Sequence, residues 1–247
     1  MAVIIFSFGF STLGVSSAGF LEDLKKELPI ELPIKTNRGL SESTVIDGLK
    51  EALSVSTRKA VKKTSRAGGY FKNPKIKIPL PPKIKKVGAT LRKVGLNKEV
   101  DEFILSMNRA AEKAAPKAAA IFVKAIKGMS FDDARAILGG NETAATEYFQ
   151  RRSGAEIADE FRPVVTSAMN KVGVTKKFKE LMGLYEKIPF TKSKSVDLDE
   201  YVTELATTGL FTLLGDEERK IRRDPAARVS ELLKKVFGSN AAGGAAR

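Results

Sequence analysis

The segment that most constrains the fold of this chain is the proline-rich run GGYFKNPKIKIPLPPKIKK, which extends from Gly68 to Lys86. Proline has no backbone N–H and disfavours a helical conformation in the residue before it, so neither a regular helix nor a fully hydrogen-bonded strand can pass through this run. Apolar and basic residues alternate around Ile76, Ile78 and Leu80. We therefore predict an extended arm that packs on helices, with these three side chains facing inward and the neighbouring lysines facing water.

The segments that flank this arm carry apolar residues at the three- and four-residue spacing of helices that bury one face. A first helix is predicted to begin near Ser41 or Ser43, and a second to begin at Pro82. The second helix is predicted to bury Ile84, Val87, Leu91 and Val94. A helix that begins at Asp197 becomes apolar nearly all round at GLFTLLG and is expected to lie centrally in the core. The predicted fold class is all-α, an irregular multi-helix bundle with the extended, proline-rich basic arm packed on it.

The composition excludes several kinds of active site, because the sequence contains no histidine, cysteine or tryptophan. A histidine-based catalytic triad, a cysteine nucleophile, a zinc site built from imidazole and thiolate groups and a thiolate-bound iron–sulfur cluster are therefore impossible. Ser56 and Lys59 match the pattern S-x-x-K, but the chain has no accompanying K-T-G or S-D-N motif, and we interpret them as helix surface. Glu156, Asp159 and Glu160 are interpreted as a solvated helix face. We predict no catalytic residue, no metal site and no cofactor, and we favour a role other than catalysis.

The net charge of +14 comes from a single window of the sequence. Between Lys50 and Lys98 there are fifteen lysines and arginines and one acidic residue, Glu51, so this window carries the whole excess of positive charge. Such a concentration of charge attracts anions without specifying which anion. The predicted anion-docking surface consists of Lys62, Lys63, Arg66, Lys72, Lys75, Lys77, Lys83, Lys85 and Lys86.

Two interpretations of this basic window remain open. It can be a solvated face that keeps the protein soluble, or it can bind an anionic membrane surface, an envelope polymer or an acidic protein. Binding of nucleic acid is the less favoured hypothesis, because stacking on bases requires exposed aromatic rings and only Tyr70 and Phe71 lie nearby. An intracellular nucleic-acid binder therefore stays as an alternative function.

A second candidate site is a polar pocket on a helix that is otherwise rich in alanine. Arg109 is expected to grip an anionic group there and Glu112 to orient it. The residues proposed for this pocket are Asn108, Arg109, Glu112, Thr146 and Tyr148. Such a pocket would suit a small-ligand carrier or an enzyme, whereas the competing interpretation is a salt bridge and cap network that fixes helix packing.

The predicted domain organisation has four parts. Residues 1–18 resemble an export signal, because an apolar stretch from Ala2 to Val15 precedes small residues at Ser16 and Ala18. Residues 19–40 are expected to be an extended segment, residues 41–238 a single helical domain and residues 239–247 a disordered tail rich in glycine and alanine. These features predict a periplasmic or secreted protein that has no membrane-spanning helix after the signal is removed.

Several long runs give the chain a family resemblance. They are GLKEALSVSTRKAV, GGYFKNPKIKIPLPPKIKK, SMNRAAEKAAPKA, ILGGNETAATEYF and GLFTLLGDEERKIRRDPAARVSELLKKVFG. The chain resembles a bacterial family catalogued as domain of unknown function 4197, over about Ser41 to Gly238. The resemblance implies an exported, helical protein without an established activity, and it supplies no catalytic residue. Together with the charge pattern, it leads to the hypothesis of an exported, non-enzymatic binding or scaffold domain of the cell envelope.

Overall fold

A computed structural model of the protein describes residues 41–171, 173–187 and 196–224, together with residues 226 and 234. Its α-helices are α1 (Glu42–Ser65), α2 (Lys85–Lys93), α3 (Asn97–Ala114), α4 (Ala118–Lys127), α5 (Phe131–Gly139), α6 (Ala144–Lys171), α7 (Val174–Glu186) and α8 (Leu198–Arg223). Short 3₁₀ turns cover Pro82–Ile84 and Ala115–Lys117. The described residues contain no β-strand, and the prediction of an all-α fold is confirmed.

The helix boundaries follow from local chemistry. The hydroxyl groups of Ser41 and Ser130 accept hydrogen bonds from backbone N–H groups in the first turns of α1 and α5, and Asp197 caps α8 in the same way. At Ser130 the cap is reciprocal, because Asp133 accepts a hydrogen bond from the backbone N–H of the serine. Pro116 lies in the 3₁₀ turn that separates α3 from α4, since proline interrupts the helical hydrogen-bond pattern.

Helix α8 packs against α1, α3 and α6, so it lies centrally, as its apolar sequence predicts. Three aromatic rings, one each from α4, α6 and α8, meet in the core. The ring of Phe122 is 5.2 Å from that of Phe149 and 6.0 Å from that of Phe211, in edge-to-face contacts in both cases. Such contacts add to the stability that burial of the rings already supplies.

The arm, defined here as residues 66–81, lies against α3 and α8. Its beginning, at Tyr70, contacts Glu112 near the end of α3 and Ala206 of α8, and its end, at Pro79, accepts a hydrogen bond from Tyr201 near the start of α8. Ile76 and Ile78 are buried as predicted, whereas Leu80 is half-buried. The arm therefore covers part of the surface of α3 and α8, as a strand or a further helix does in other folds.

One predicted core residue is exposed. The apolar spacing predicts Val94 on the buried side of α2, but its side chain is 57% exposed. The helix ends at Lys93, and the backbone of Val94 already leaves helical geometry, so the spacing that buries Val87 and Leu91 no longer applies.

Several predictions concern parts of the chain outside the described residues. These are the export signal at residues 1–18, the extended segment at residues 19–40 and the tail at residues 239–247. Among the described helices, none has both the length and the apolar character that crossing a bilayer requires.

Candidate anion-docking surface

Asn108 fixes the middle of the arm to α3. Its side-chain oxygen accepts a hydrogen bond from the backbone N–H of Ile78 at 2.9 Å, and its side-chain nitrogen donates to the carbonyl of the same residue at 2.8 Å. Asn108 is fully buried, with 0% of its surface exposed. The amide therefore satisfies both backbone groups of Ile78, which the proline-rich sequence leaves without a neighbouring strand.

Glu112, one turn further along α3, fixes the beginning of the arm. One carboxylate oxygen accepts hydrogen bonds from the backbone N–H groups of Tyr70 and Phe71, at 3.2 and 3.3 Å. The other oxygen accepts a hydrogen bond from Arg109 at 2.6 Å. The buried charge thus has three donors, which is the condition under which a carboxylate is tolerated in a protein interior.

Tyr70 anchors the arm to α8. Its hydroxyl donates to the carbonyl of Ala206 at 2.6 Å, and burial raises the pKa of Tyr70, with a further contribution from the negative charge of Glu112. Beside it, Gly209 leaves room for the arm. A Cβ atom at Gly209 would lie 2.7 Å from the Tyr70 ring and 3.1 Å from Cβ of Ile76. The absent side chain at this position therefore permits the close approach of arm and helix.

Two basic residues of the predicted docking surface are paired with carboxylates of α8. Lys75 donates to Asp216 at 2.9 Å, and Lys63 forms an ion pair with Glu217. Burial raises the pKa of both carboxyl groups, but the hydrogen bonds from Lys75 and Arg219 to Asp216, and from Lys63 and Lys220 to Glu217, outweigh it, and the pKa of each is lowered. Part of the positive charge is therefore neutralised within the fold.

The other members of the predicted surface are exposed. The ammonium group of Lys77 lies 4.4 Å from the centre of the Phe71 ring, in a cation–π contact. Seven basic residues of the predicted surface form no ion pair with another described residue. They are Lys62, Arg66, Lys72, Lys77, Lys83, Lys85 and Lys86. The unneutralised charge therefore extends from the end of α1 along the arm to the start of α2.

Helix α2 extends this charge further than the predicted surface. Lys85, Ala89 and Lys93 are four residues apart and exposed, so they lie in one row on the helix, with Lys86 beside it. The helix contains no acidic residue. Lys93 is not among the predicted docking residues, although its four-residue spacing from Lys85 and Ala89 is visible in the sequence.

The five residues of the predicted pocket are divided between two places. Asn108, Arg109 and Glu112 lie at the arm, where the arm itself uses the polar atoms that the prediction assigned to a ligand. Thr146 instead donates its hydroxyl hydrogen to Glu218 of α8 at 2.8 Å. Tyr148 donates to the carbonyl of Ala125. The interpretation as a packing network describes these contacts better than the interpretation as one pocket.

Tyr148 also lines a cleft of about 210 Å³ between α5 and α6, with Glu147 and Arg151 on its wall. Glu147 is engaged by Asn141 and Thr143, and these hydrogen bonds lower its pKa. Among the described residues there is no group of three histidine, cysteine, aspartate or glutamate side chains arranged to hold a metal ion. Ser56 of the S-x-x-K pattern is buried and donates to the carbonyl of Ala52, so its hydroxyl is not presented to solvent.

The fold and this surface together define a class of protein, an all-α domain that holds a basic arm in a fixed position on two helices. The family model described as "Protein of unknown function (DUF4197)" matches residues 39–238, and the chain belongs to this family. No match was found among curated proteins or among solved structures.

Proposed function

We propose that the protein is an exported helical binding domain of the cell envelope, which docks an anionic partner through its basic arm and the adjoining helix α2. The observation that carries the proposal is the combination of a rigidly held arm with exposed cations that form no ion pair with another described residue. The export step rests on the apolar stretch from Ala2 to Val15 and remains a prediction from sequence.

The anchoring of the arm supports this function because it lowers the cost of binding. An extended segment that became ordered only on contact with a partner would lose conformational entropy at that moment. Here Asn108, Glu112 and Tyr70 already hold the backbone in place. The lysines are therefore presented in fixed positions, and only their flexible side chains need to adjust.

The ion pairs identify which cations are suitable for docking. Lys63 and Lys75 are engaged by Glu217 and Asp216, so a partner would have to compete with these carboxylates. Three exposed lysines form no ion pair with a described residue, namely Lys83, Lys85 and Lys86. Substitution of these lysines therefore tests the docking proposal most directly.

The first prediction concerns these three lysines. Each lysine near an anionic bilayer contributes about 1 kcal/mol. The triple variant Lys83→Gln, Lys85→Gln, Lys86→Gln should therefore lose about 3 kcal/mol, or roughly 100-fold in affinity. Binding would be measured by sedimentation with vesicles of phosphatidylcholine and phosphatidylglycerol, and by titration with soluble polyphosphate, each across a salt series.

The matched control removes the same charge elsewhere, at three exposed lysines outside the arm and α2, in the variant Lys113→Gln, Lys117→Gln, Lys171→Gln. It should bind nearly as the natural sequence does. All variants carry the same N-terminal residues, so any contribution of the apolar stretch to vesicle binding is common to them. Equal loss in both triple variants would reject a docking role for this surface, as would no loss in either.

A further inference from the structure

The turn between α2 and α3 presents an apolar side chain among cations. Val94 follows the last residue of α2 and is 57% exposed. Lys93 and Lys98 flank the turn and are both exposed. Gly95 has a φ of 88°, and a Cβ atom placed there would meet no atom within 4 Å. The turn therefore projects from the helices that it joins.

Nearby acidic residues do not cancel the charge around this turn. Asp101 is engaged by Arg92, whose hydrogen bond lowers the pKa of the carboxyl group. Glu99, in the first turn of α3, is exposed. Glu102 is paired with Lys177. Between residues 83 and 102 there are thus three acidic residues and six basic ones, which are Lys83, Lys85, Lys86, Arg92, Lys93 and Lys98.

Phe131 provides an instructive comparison, since it and Val94 are the large apolar side chains that are exposed in the described part of the chain. The Phe131 ring is covered by the guanidinium group of Arg135 at 4.7 Å, and Asp132 and Asp133 follow it directly. Phe131 is thus partly covered by Arg135 and has acidic neighbours, whereas Val94 is more exposed and has basic neighbours.

From this arrangement we propose that the α2–α3 turn is a membrane-contacting tip, and that the anionic partner is the headgroup surface of a phospholipid bilayer. The inference rests on the proposed function and specifies its partner. Lysines next to an exposed apolar side chain suit an interface that is anionic at its surface and apolar just beneath. A soluble polyanion would use the lysines alone and would gain nothing from Val94.

The natural absence of tryptophan makes a direct experiment possible. In the variant Val94→Trp the only indole is at the proposed tip. With vesicles that contain phosphatidylglycerol, its emission should shift to shorter wavelength and be quenched by lipids with brominated acyl chains. The variant Phe131→Trp is the matched control, because it also places one indole at an exposed apolar position, and it should show neither effect.

A second variant tests affinity without adding a large side chain. Val94→Ser should fold normally, since position 94 is exposed, and circular dichroism would verify this. It should bind anionic vesicles about tenfold more weakly, because partial burial of a valine contributes roughly 1.4 kcal/mol. Its affinity for soluble polyphosphate should be unchanged, which separates insertion from charge attraction.

The outcomes distinguish this inference from the proposed function. If Val94→Ser keeps full vesicle affinity and the indole emission of Val94→Trp does not change, while the lysine triple variant still loses binding, docking is electrostatic alone and the tip is rejected. If the lysine triple variant also binds vesicles and polyphosphate like the natural sequence, the proposed function fails as well. A blue shift in Phe131→Trp equal to that in Val94→Trp would likewise overturn the inference.

Discussion

Asn108 and Glu112 show how two polar residues in an alanine-rich helix can serve the backbone of another segment. The prolines of the arm prevent it from pairing with a strand, yet its buried N–H and C=O groups still need partners. The side chains of α3 supply them, at Ile78 and at Tyr70. The sequence singles out Asn108 and Glu112 as polar residues in an alanine-rich helix. It does not show which backbone groups they bind, because those groups lie 30 to 42 residues away in the chain.

At this scale, Asn108→Ala is the informative substitution. It would leave the N–H and C=O groups of the buried Ile78 without partners, at about 1–3 kcal/mol for each group. We expect the free energy of unfolding, measured by urea denaturation, to fall by about 2 to 5 kcal/mol. The exposed Asn170→Ala is the control and should change it by less than about 0.5 kcal/mol. A loss at Asn108 no larger than that of the control would contradict the anchoring role.

At the scale of elements, the sequence predicts helices correctly where an apolar stripe coincides with a cap, as at Ser41 and Asp197. The prediction that Val94 is buried is wrong, because the spacing of apolar residues continues to position 94 although the helix ends at Lys93. The following Gly95, which adopts a positive φ, is the signal that could have placed the end correctly. The contact between the arm and α8 is less evident in the sequence, where it corresponds to Gly209 at the start of the apolar stretch GLFTLLG.

Two glycines in helices allow the fit of the arm to be tested. An alanine at Gly209 would overlap the buried Tyr70 ring, and such overpacking costs about 1–3 kcal/mol against the 1 kcal/mol or so that alanine gains in helix propensity. Gly209→Ala should therefore lower the free energy of unfolding, by up to about 2 kcal/mol. At Gly183, where no atom lies within 4 Å of the new Cβ, alanine should raise it by about 0.5–1 kcal/mol. Changes of the same sign would count against close contact between arm and α8.

At the scale of the whole molecule, the charge count locates the positive excess between residues 50 and 98. It does not reveal that Lys63 and Lys75 are paired with Glu217 and Asp216, because these pairs join residues 154 and 141 positions apart. Such long-range pairs depend on how the helices pack, and a single sequence does not contain that information directly. The surface available to a partner is therefore smaller than predicted at the arm and larger along α2.

The proposed function depends above all on the arm being fixed to α3 and α8 in the native protein. Hydrogen–deuterium exchange, resolved for individual amides, measures this directly, since an amide that is buried and hydrogen-bonded exchanges only when its segment opens. The N–H groups of Tyr70, Phe71 and Ile78 should be protected as strongly as those in the middle of α3. Exchange of these three amides at the rate of an unstructured peptide, with α3 still protected, would contradict the fixed arm and the docking role that rests on it.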